Sequence, residues 1–502
     1  MRISGRPGRE EQKQEYRRQR RALRQRQREQ GLEPPSRPAA SNATCGMETV
    51  EEEQAARAMA VVEQVVVMRT LLPVLLRNLR GIEDPRQSTK VKHQLSALLL
   101  YGILLFVYQM ASRREANRTM TRPQFVQNLK LLFPEVEELP HHDTLARVLA
   151  RVDVEQIQEA LVELLRTVLR RKKLRRFLID GWLRIAVDGT QKLAREVCVN
   201  DHLLERTHSN GDSSQTQYYV YILEAVVVLG DGITLPLMSE FLSYDTDSSG
   251  GKQDCELRAF KRLAGRLKEA FPRQRIMLLI DGLYANGPVV TLCRENGWQY
   301  MIVLKDGSLP SVWAEAEGLV KLDPTSQQIN WQGRQQRYWW VNGIEYTYDK
   351  GPRRPEILNV VVCQETWQDV DPKTGEIATK RSRHAWISSE PVTPLNLHQR
   401  CNLCARHRWG IETCIQVEKG HGYSYEHCFA HDWKAMKGYH YLMRIAHFFN
   451  VLAQLSDKLA AMVRSMTMRG FFSFIRETVA GRWLTPEVVA ARLRGCLQLR
   501  LE

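Results

Sequence analysis

Two aspartates in the middle of the chain each follow an apolar run that is typical of a β-strand. Asp188 comes directly after residues 183–187, and Asp281 comes directly after residues 278–280. A carboxylate at the end of a buried strand is costly unless it is paired, hydrogen-bonded or bound to a metal ion. A glycine follows each aspartate, which lets the backbone turn away and leaves the carboxylate at the edge of the sheet. Two such positions indicate a carboxylate site, and the alternative is that both aspartates are turn residues.

A third acidic residue lies far along the chain, in a predicted helix that also carries two basic residues. Arg408 and Glu412 are four residues apart, and Lys419 follows Glu412 by seven. At 100° per residue, the three side chains fall within roughly 40° of one another on a single helix. A glutamate between basic residues suits metal ligation by the carboxylate and phosphate contact by its neighbours. The alternative is an ordinary ion pair on a solvated helix face, which contributes ~0.3–0.5 kcal/mol.

Strands and helices are predicted to alternate around the two aspartates. The pattern predicts strands at 183–187, 218–229, 233–242, 275–280 and 298–304, and helices at 256–271 and 288–295. This order is typical of a mixed sheet with covering helices, so the fold class is predicted to be α/β. Lys252 and Glu256, close to the start of the first of these helices, are expected to be surface residues.

The charge balance of the chain is strongly basic. Lys and Arg number 72 against 57 Asp and Glu, which gives a formal net charge of +15. This charge favours a polyanionic partner, with nucleic acid first and an anionic membrane surface second. Ten cysteines in 502 residues are too few for a disulfide scaffold, and the N-terminus has no apolar run of a signal peptide. Residues 94–110 carry no formal charge over 17 residues, but their polar flanks favour a buried helix over a membrane span.

Taken together, these motifs resemble those of one enzyme family. Asp188 lies in IAVDGT, Asp281 in LIDGLYAN and Glu412 in RHRWGIETCIQVEKG. The three segments resemble the acidic triad of DDE transposases of bacterial insertion sequences, which have an RNase H-like catalytic core. The spacing of Arg408, Glu412 and Lys419 is similar to the tyrosine–arginine–glutamate–lysine signature of one class of the family, but Ala405 stands at the tyrosine position. The segment LPHHDTLARVLARVD is similar to the N-terminal region of such transposases, and the resemblance covers about residues 90–450.

The resemblance implies metal-dependent cut-and-paste chemistry at the inverted repeats of an insertion sequence. Asp188 would bridge two metal ions, while Asp281 and Glu412 would each complete one metal site. Two divalent ions can stabilise both the attacking and the leaving oxygen when a phosphodiester is displaced. Mg²⁺ prefers oxygen ligands, so it is the expected metal, and Mn²⁺ is expected to substitute for it.

The resemblance also implies which residues contact DNA and how the protein assembles. Arg408 and Lys419 would grip phosphates of the element's ends. Trp339 and Trp340 would hold a flipped base, and core packing is the alternative for both. The expected partners are double-stranded inverted-repeat ends and target DNA, bound by a homodimer in a synaptic complex. No membrane is expected, and the expected location is the bacterial cytoplasm at the nucleoid.

Composition and resemblance together divide the chain into six predicted segments. They are a basic, largely disordered N-terminal arm and linker (1–58), an all-helical DNA-binding domain (59–176), the first part of an RNase H-like catalytic core (177–305), a β-rich insertion (306–390), the Glu-bearing helix of the core (391–429) and a C-terminal helical region (430–502). Residues 1–40 contain eleven Arg and one Lys against five Glu, so this arm lies on DNA phosphates or serves as a solubilising tail.

Two alternative functions and one alternative metal site stay open at the sequence level. One alternative to an active transposase is a catalytically inactive, transposase-derived DNA-binding protein. The other is a non-transposing nuclease of the same fold. Cys and His residues also recur at every third position, as His398, Cys401, Cys404 and His407, which suggests zinc. A single helix over 394–419 would turn the two histidines to opposite sides, which argues against zinc.

Overall fold

A computed structural model describes residues 9–34, 44–210, 213–245, 252–348, 355–495 and 497–501. The chain divides into two compact units. The first unit comprises Met1–Pro38 and Ile276–His407, and the second unit comprises Ala39–Arg275 and Arg408–Glu502. Parallel and antiparallel strand pairs occur together with many helices, so the fold is mixed α/β as predicted.

The α-helices are α1 (Arg9–Glu29), α2 (Val50–Arg69), α3 (Leu72–Gly81), α4 (Leu95–Val107), α5 (Arg113–Met120), α6 (Pro123–Leu132), α7 (His142–Leu149), α8 (Glu155–Arg170), α9 (Glu256–Ala270), α10 (Gly287–Asn296), α11 (Pro310–Leu322), α12 (Gly410–Gly420), α13 (Trp433–Gln454), α14 (Ala460–Ala480) and α15 (Pro486–Leu493). The strands are β1 (Leu183–Arg195), β2 (Leu204–Asn210), β3 (Ser213–Gly230), β4 (Ile233–Leu242), β5 (Tyr244–Asp245), β6 (Lys252–Gln253), β7 (Ile276–Ile280), β8 (Gln299–Val303), β9 (Ser326–Trp331), β10 (Arg334–Tyr346), β11 (Glu356–Val370) and β12 (Ile377–Ser388).

The apolar segment at 94–110 is the central helix of the second unit. It forms α4, whose residues are nearly all buried and which packs along α13. A side chain at Gly102 would place its Cβ 2.7 Å from Leu442 Cδ1 and 2.9 Å from Leu145 Cδ2, so glycine permits this close packing. The prediction of a buried helix is confirmed.

In the described part of the chain, no single helix is long and apolar enough to cross a membrane. Helices α2 and α3 reach the necessary length and hydropathy only when they are taken together, as a pair bent by 52°.

The helices before and after the sheet strands pack together in the second unit. Helix α13 contacts α2, α4, α7 and α8, and α14 contacts α2 and α6. The segments predicted as separate N-terminal and C-terminal helical regions therefore share one apolar core. Helices α8, α9, α12 and α13 also pack against β4, which ties this core to the sheet.

The sheet of the second unit is built around the long strand β3. This strand pairs antiparallel with β1, β2 and β4. The β3–β4 hairpin turns at Asp231, between the strands predicted at 218–229 and 233–242. Strand β1 does not end before Asp188, because Gly189 and Thr190 continue the ladder opposite Leu223 and Ile222. The prediction that Asp188 ends a strand is therefore wrong, since strand pairing overrides the local turn signal of Asp-Gly.

The sheet of the first unit has the order β7–β8–β12–β11–β10–β9. Strands β7 and β8 are parallel and are connected through α10, while the remaining pairs are antiparallel. Strand β12 pairs with β8, with Trp386 opposite Val303. The β-rich segment at 306–390 therefore extends the sheet that contains β7 and β8, and it also includes the helix α11.

The N-terminal arm, predicted to be largely disordered or transiently helical, forms the helix α1 over Arg9–Glu29. Its Gln, Arg and Glu residues have high helix propensity, and side chains four positions apart, such as Glu15 and Gln19, hydrogen-bond to each other. Leu23 is buried, α1 packs against β11, and Gln27 Nε2 donates to the Gln368 carbonyl at 3.3 Å. The flanking residues 1–8 and 35–43 lie outside the described residues.

Candidate active site

Asp188 lies on β1 in the second unit, in a largely buried environment. Its side chain is 25% exposed, and its Oδ2 lies 3.7 Å from Arg408 Nη1. The backbone N–H of Gly189 donates to Asp188 Oδ1 at 3.0 Å. Burial raises the pKa of Asp188 to about 6, although Arg408 and the Gly189 hydrogen bond act in the opposite direction. The carboxylate is therefore costly to ionise without a further cation.

Glu412 lies in the first turn of α12 and shares the same arginine. Arg408 Nη2 donates to Glu412 Oε1 at 2.8 Å, and the Arg408 side chain is only 8% exposed. The guanidinium therefore contacts both carboxylates. The sequence predicts this pairing of Arg408 with Glu412, but the contact with Asp188 depends on the fold.

The predicted helix over 394–419 is not one continuous helix. A π-helical turn (Gln399–Cys404) and a 3-10 turn (Ala405–Trp409) precede α12. The π-helical turn buries Arg400 and Asn402, and Asn402 Nδ2 donates to Gln336 Oε1 at 2.8 Å. We attribute the π-helical turn to these buried polar contacts. A π-helical turn has more residues per turn than an α-helix, so it changes the directions in which its side chains point.

Lys419 stands at the other end of α12 and has its own partners. Its Nζ donates to the Gln191 carbonyl at 3.0 Å and lies 3.0 Å from Glu426 Oε1. The structure therefore brings Arg408 and Glu412 into contact and holds Lys419 against β1 three residues from Asp188.

A third carboxylate of the second unit, Glu256, approaches Asp188. Glu256 is the first residue of α9, and its Oε2 accepts a hydrogen bond from Tyr221 Oη at 3.1 Å. A Cβ at Gly189 would lie 2.4 Å from Tyr221 Oη and 2.7 Å from Glu256 Oε2. The missing side chain of Gly189 therefore leaves room for both groups beside Asp188. The sequence expectation that Glu256 is a surface residue misses this proximity, because it depends on where α9 packs on the sheet.

Asp281 belongs to the first unit, where it directly follows β7 as predicted. Its Oδ2 accepts a hydrogen bond from Lys305 Nζ at 2.8 Å. Because β7 and β8 are parallel, the residues that follow them lie at the same edge of the sheet. Lys305 is not among the predicted site residues, although its position after the predicted strand at 298–304 matches that of Asp281 after 275–280.

The tryptophans of β10 point in opposite directions. Trp340 is 6% exposed and belongs to the core, whereas its neighbour Trp339 is half-buried. Successive side chains of a strand lie on opposite faces, which explains the difference. Of the pair, only Trp339 is accessible for base stacking. The prediction that Trp340 holds a flipped base is wrong, because Trp340 packs in the core, which is the alternative given above.

Groups of three potential metal ligands occur at two places in the described ranges. They are His141, His142 and Asp143, and Cys414, Glu418 and His447. The residues that their spacing suggests as zinc ligands form no such group within those ranges; they are His398, Cys401, Cys404 and His407. In the buried second group, Arg444 Nη1 donates to Glu418 Oε1 at 2.9 Å, so this carboxylate already has a cation.

Arg444 is the centre of a buried ion network in the second unit, here called the Arg444 cluster, which comprises Arg444, Glu224, Glu418, His440 and His447. Arg444 Nη2 lies 3.4 Å from Glu224 Oε2, while Nη1 binds Glu418. Burial opposes ionisation of Glu224, but Arg444 and His440 hold its pKa below the usual range. Glu224 is the partner of Asp188 in the β1–β3 ladder, so the cluster lies directly beside the candidate site.

Lys192, on β1, is another buried cation of the second unit. Its side chain donates to the Tyr425 carbonyl at 2.6 Å. Burial lowers the pKa of Lys192 to about 8, although Glu224 and Glu418 act to raise it. The folded protein therefore releases this proton at a lower pH than the unfolded chain does.

We expect the free energy of unfolding of the wild type to rise, relative to that of Lys192→Met, between pH 8 and pH 10.5. In this window the unfolded state binds more protons at this lysine than the folded state, so stability increases with pH. Urea unfolding at several pH values measures the effect, and Lys130→Met at an exposed position of α6 is the control. Equal pH slopes for the wild type and Lys192→Met would contradict the assignment.

Comparison with known families adds an independent observation. A family model described as DDE_Tnp_1-associated matches residues 76–165, from α3 to α8 in the second unit. Among curated proteins, none matches the chain. The matched segment does not include Asp188, Glu256, Asp281 or Glu412, but the description of the family refers to transposases. The match supports placing this chain in a DDE-type transposase family.

Proposed function

We propose that the protein is a metal-dependent DDE transposase that cuts and joins DNA at the inverted repeats of an insertion sequence. The observation that carries this proposal is the contact of Asp188 and Glu412 with one buried arginine, Arg408. These acids are the first and third of the motifs that resemble the transposase triad. The family match at 76–165 supports the same family from a different part of the chain.

The order of elements supports an RNase H-like core. Strands β1, β3 and β4 are antiparallel, α9 follows, and β7 and β8 form a parallel pair connected through α10. Asp188 lies on the first of these strands, and Asp281 follows the first strand of the parallel pair. The third acid, Glu412, comes after the β-rich segment, as the resemblance implies.

The donor groups fit a hard divalent cation. Carboxylate oxygens are the ligands that Mg²⁺ prefers, and Mn²⁺ accepts the same set. Burial makes Asp188 costly to ionise, which a bound cation would offset. We propose that Asp188, Asp281 and Glu412 hold the metal ions, which, when bound, stabilise the charge that develops on the phosphodiester oxygens. Arg408 orients both of its carboxylate partners, and Lys419 contributes positive charge toward the DNA.

A basic helix pair in the matched segment is a candidate surface for DNA phosphates. Helices α5 and α7 pack against each other. Arg114 and Arg118 are exposed on α5 at a spacing of four residues, and Arg147 is exposed on α7. Phosphate contacts by such residues supply most sequence-independent affinity for DNA. We propose that double-stranded DNA binds here and that a homodimer holds two ends in a synaptic complex.

We expect the double variant Arg114→Ala/Arg118→Ala to bind end DNA at least several-fold more weakly at low salt. The slope of log affinity against log salt should fall by about 2, because each phosphate contact contributes about 0.9. Fluorescence anisotropy across a salt series measures both quantities. The control Arg166→Ala/Arg170→Ala removes the same charge where Glu163 already pairs with the arginines. Equal slopes for the two double variants would argue against this surface.

Cleavage of DNA that contains the gene with its own flanks tests the proposed activity. Purified protein is incubated with Mg²⁺ or Mn²⁺, and with EDTA as the control. We expect cuts at the element's ends and joined products that disappear with EDTA. Tight binding without cuts would favour the inactive DNA-binding alternative, to which Ala405 at the tyrosine position also points. Nicks without joined products would favour the non-transposing nuclease.

A further inference from the structure

We propose that helix α1 is a second surface for the phosphates of double-stranded DNA, held in place on the sheet of the first unit. This inference rests on the DNA binding of the proposed function and deepens it, because it adds a contact outside the segment that the family model matches. It also decides between the two roles that composition leaves open for the N-terminal arm, which are a DNA contact and a solubilising tail.

Four arginines form one line along α1. They lie at spacings of four, three and four residues and are here called the arginine stripe, which comprises Arg17, Arg21, Arg24 and Arg28. At 100° per residue, these side chains fall within roughly 60° of one another. With a rise of about 1.5 Å per residue, the stripe is about 16 Å long, a distance over which one DNA strand carries about five phosphates.

Helix α1 is docked on the sheet through a different face. It packs against β11, with Leu23 buried and Gln27 Nε2 donating to the Gln368 carbonyl at 3.3 Å. The chain after the helix is also in close contact, because a Cβ at Gly333, between β9 and β10, would lie 2.8 Å from the Leu32 carbonyl oxygen. Leu23 and Gln27 lie roughly 110° around the helix from the stripe. The docking therefore fixes the helix and leaves the four arginines exposed.

The positive charge of the stripe is largely unbalanced within the first unit. Residues 16–28 of α1 include seven arginines and no acidic residue. Within the described ranges, the first three arginines of the stripe form no ion pair, whereas Arg28 Nε lies 2.9 Å from Glu33 Oε1. Like charges three or four residues apart destabilise a helix, so the stripe is unfavourable by itself. A polyanion beside it would remove this repulsion.

The composition of the exposed surface favours nucleic acid over an anionic membrane. A helix that lies on a membrane buries a face of apolar side chains in the lipid. The large aliphatic side chain of α1 is that of Leu23, which is already buried against the protein. The exposed side chains of residues 17–28 are all arginine or glutamine, which donate hydrogen bonds to phosphate oxygens. The surface therefore fits the backbone of a DNA duplex.

The test compares DNA binding by the full-length wild type and by Arg17→Gln/Arg21→Gln/Arg24→Gln. Glutamine has a high helix propensity, so these substitutions remove charge and preserve α1. A DNA duplex of unrelated sequence is the probe, and fluorescence anisotropy across a salt series measures its affinity. We expect the affinity at low salt to fall about tenfold or more and the slope of log affinity against log salt to fall by about 3, because three phosphate contacts are lost.

Two controls separate a phosphate contact from a general effect of charge. The same three arginines changed to lysine should keep most of the affinity, since sequence-independent binding depends mainly on charge. A second control removes three exposed lysines that are scattered outside α1; they are Lys130, Lys261 and Lys321, each changed to glutamine. This control should bind DNA like the wild type. If it loses as much affinity as the stripe variant, net charge alone explains the loss and the inference is wrong.

The possible results also separate this inference from the proposed function. If the wild type binds DNA but makes no metal-dependent cuts, the proposed activity fails and the role of α1 stands. If the stripe variant binds DNA like the wild type while Arg114→Ala/Arg118→Ala binds it more weakly, α1 is not a DNA surface and the proposed function stands. Unchanged DNA affinity with reduced solubility would identify a solubilising tail. Unchanged DNA affinity with lost binding to vesicles of anionic phospholipid would identify a membrane contact, and either result would overturn the inference.

Discussion

Asp188→Asn and Glu412→Gln should each reduce metal-dependent DNA cleavage by about a thousandfold or more. A metal ligand of this kind supports several kcal/mol of transition-state stabilisation, and each 1.4 kcal/mol corresponds to a factor of ten in rate. Both substitutions keep a hydrogen-bond acceptor for Arg408 while they remove the charge. We expect Asp281→Asn to have an effect of similar size, since it supplies the remaining acid of the proposed set. Single-turnover cleavage of end DNA measures the chemical step directly.

Asp231→Asn is the matched control for these variants. Asp231 lies exposed in the β3–β4 turn with a φ of 50°, a conformation that asparagine also tolerates. Its cleavage rate should equal that of the wild type. If Asp188→Asn or Glu412→Gln cleaves as fast as this control, the contact with Arg408 is an ordinary ion pair and the catalytic assignment is wrong.

Arg444→Met should have the largest effect on stability, with a loss of about 3–5 kcal/mol in the free energy of unfolding. The substitution leaves Glu224 and Glu418 buried with no arginine between them. Neither carboxylate is reachable by solvent, so the loss of the cation is not replaced by water. Urea unfolding followed by circular dichroism at neutral pH reports this change, since the helices lie mainly in the second unit.

An exposed ion pair supplies the comparison for Arg444. Arg170→Met removes one of the two arginine partners of Glu163 on the surface of α8, where such pairs contribute about 0–1 kcal/mol. Adding Glu224→Gln and Glu418→Gln to Arg444→Met should recover part of the lost stability, because the unpaired charges are removed. A loss below about 1 kcal/mol for Arg444→Met would contradict the description of the Arg444 cluster as a tightly coupled buried network.

Local sequence patterns predict most individual elements of the α/β region. Strand β4 has the predicted bounds of 233–242. The bounds of β7 and β8 each differ from the predicted ones by no more than one residue. These strands are short apolar runs between turn residues, so the signal lies within the segment itself. Strands β1 and β3 are longer than predicted, and β2 is not predicted. The extension of β1 past Asp188 is set by its pairing with β3, and the residues of β3 before 218 pair with β2.

The candidate site is only partly visible in the sequence. Motif resemblance indicates Asp188, Asp281 and Glu412 as candidates, and spacing predicts the pairing of Arg408 with Glu412. Nothing local indicates that Glu256 reaches β1, since that proximity depends on the packing of α9 and on the absent side chain of Gly189. The interrupted helix before α12 likewise depends on buried polar partners from distant strands, such as Gln336.

The buried arginine between two acids has a consequence for the order in which the protein becomes active. Arg408 already balances charge at Asp188 and Glu412, so these carboxylates can come together during folding before any divalent ion arrives. In many small metal-binding domains the ion itself drives folding, and its removal unfolds the chain. Here the protein carries an internal counter-ion, and we propose that metal ions, under the proposed function, bind after DNA and not before it.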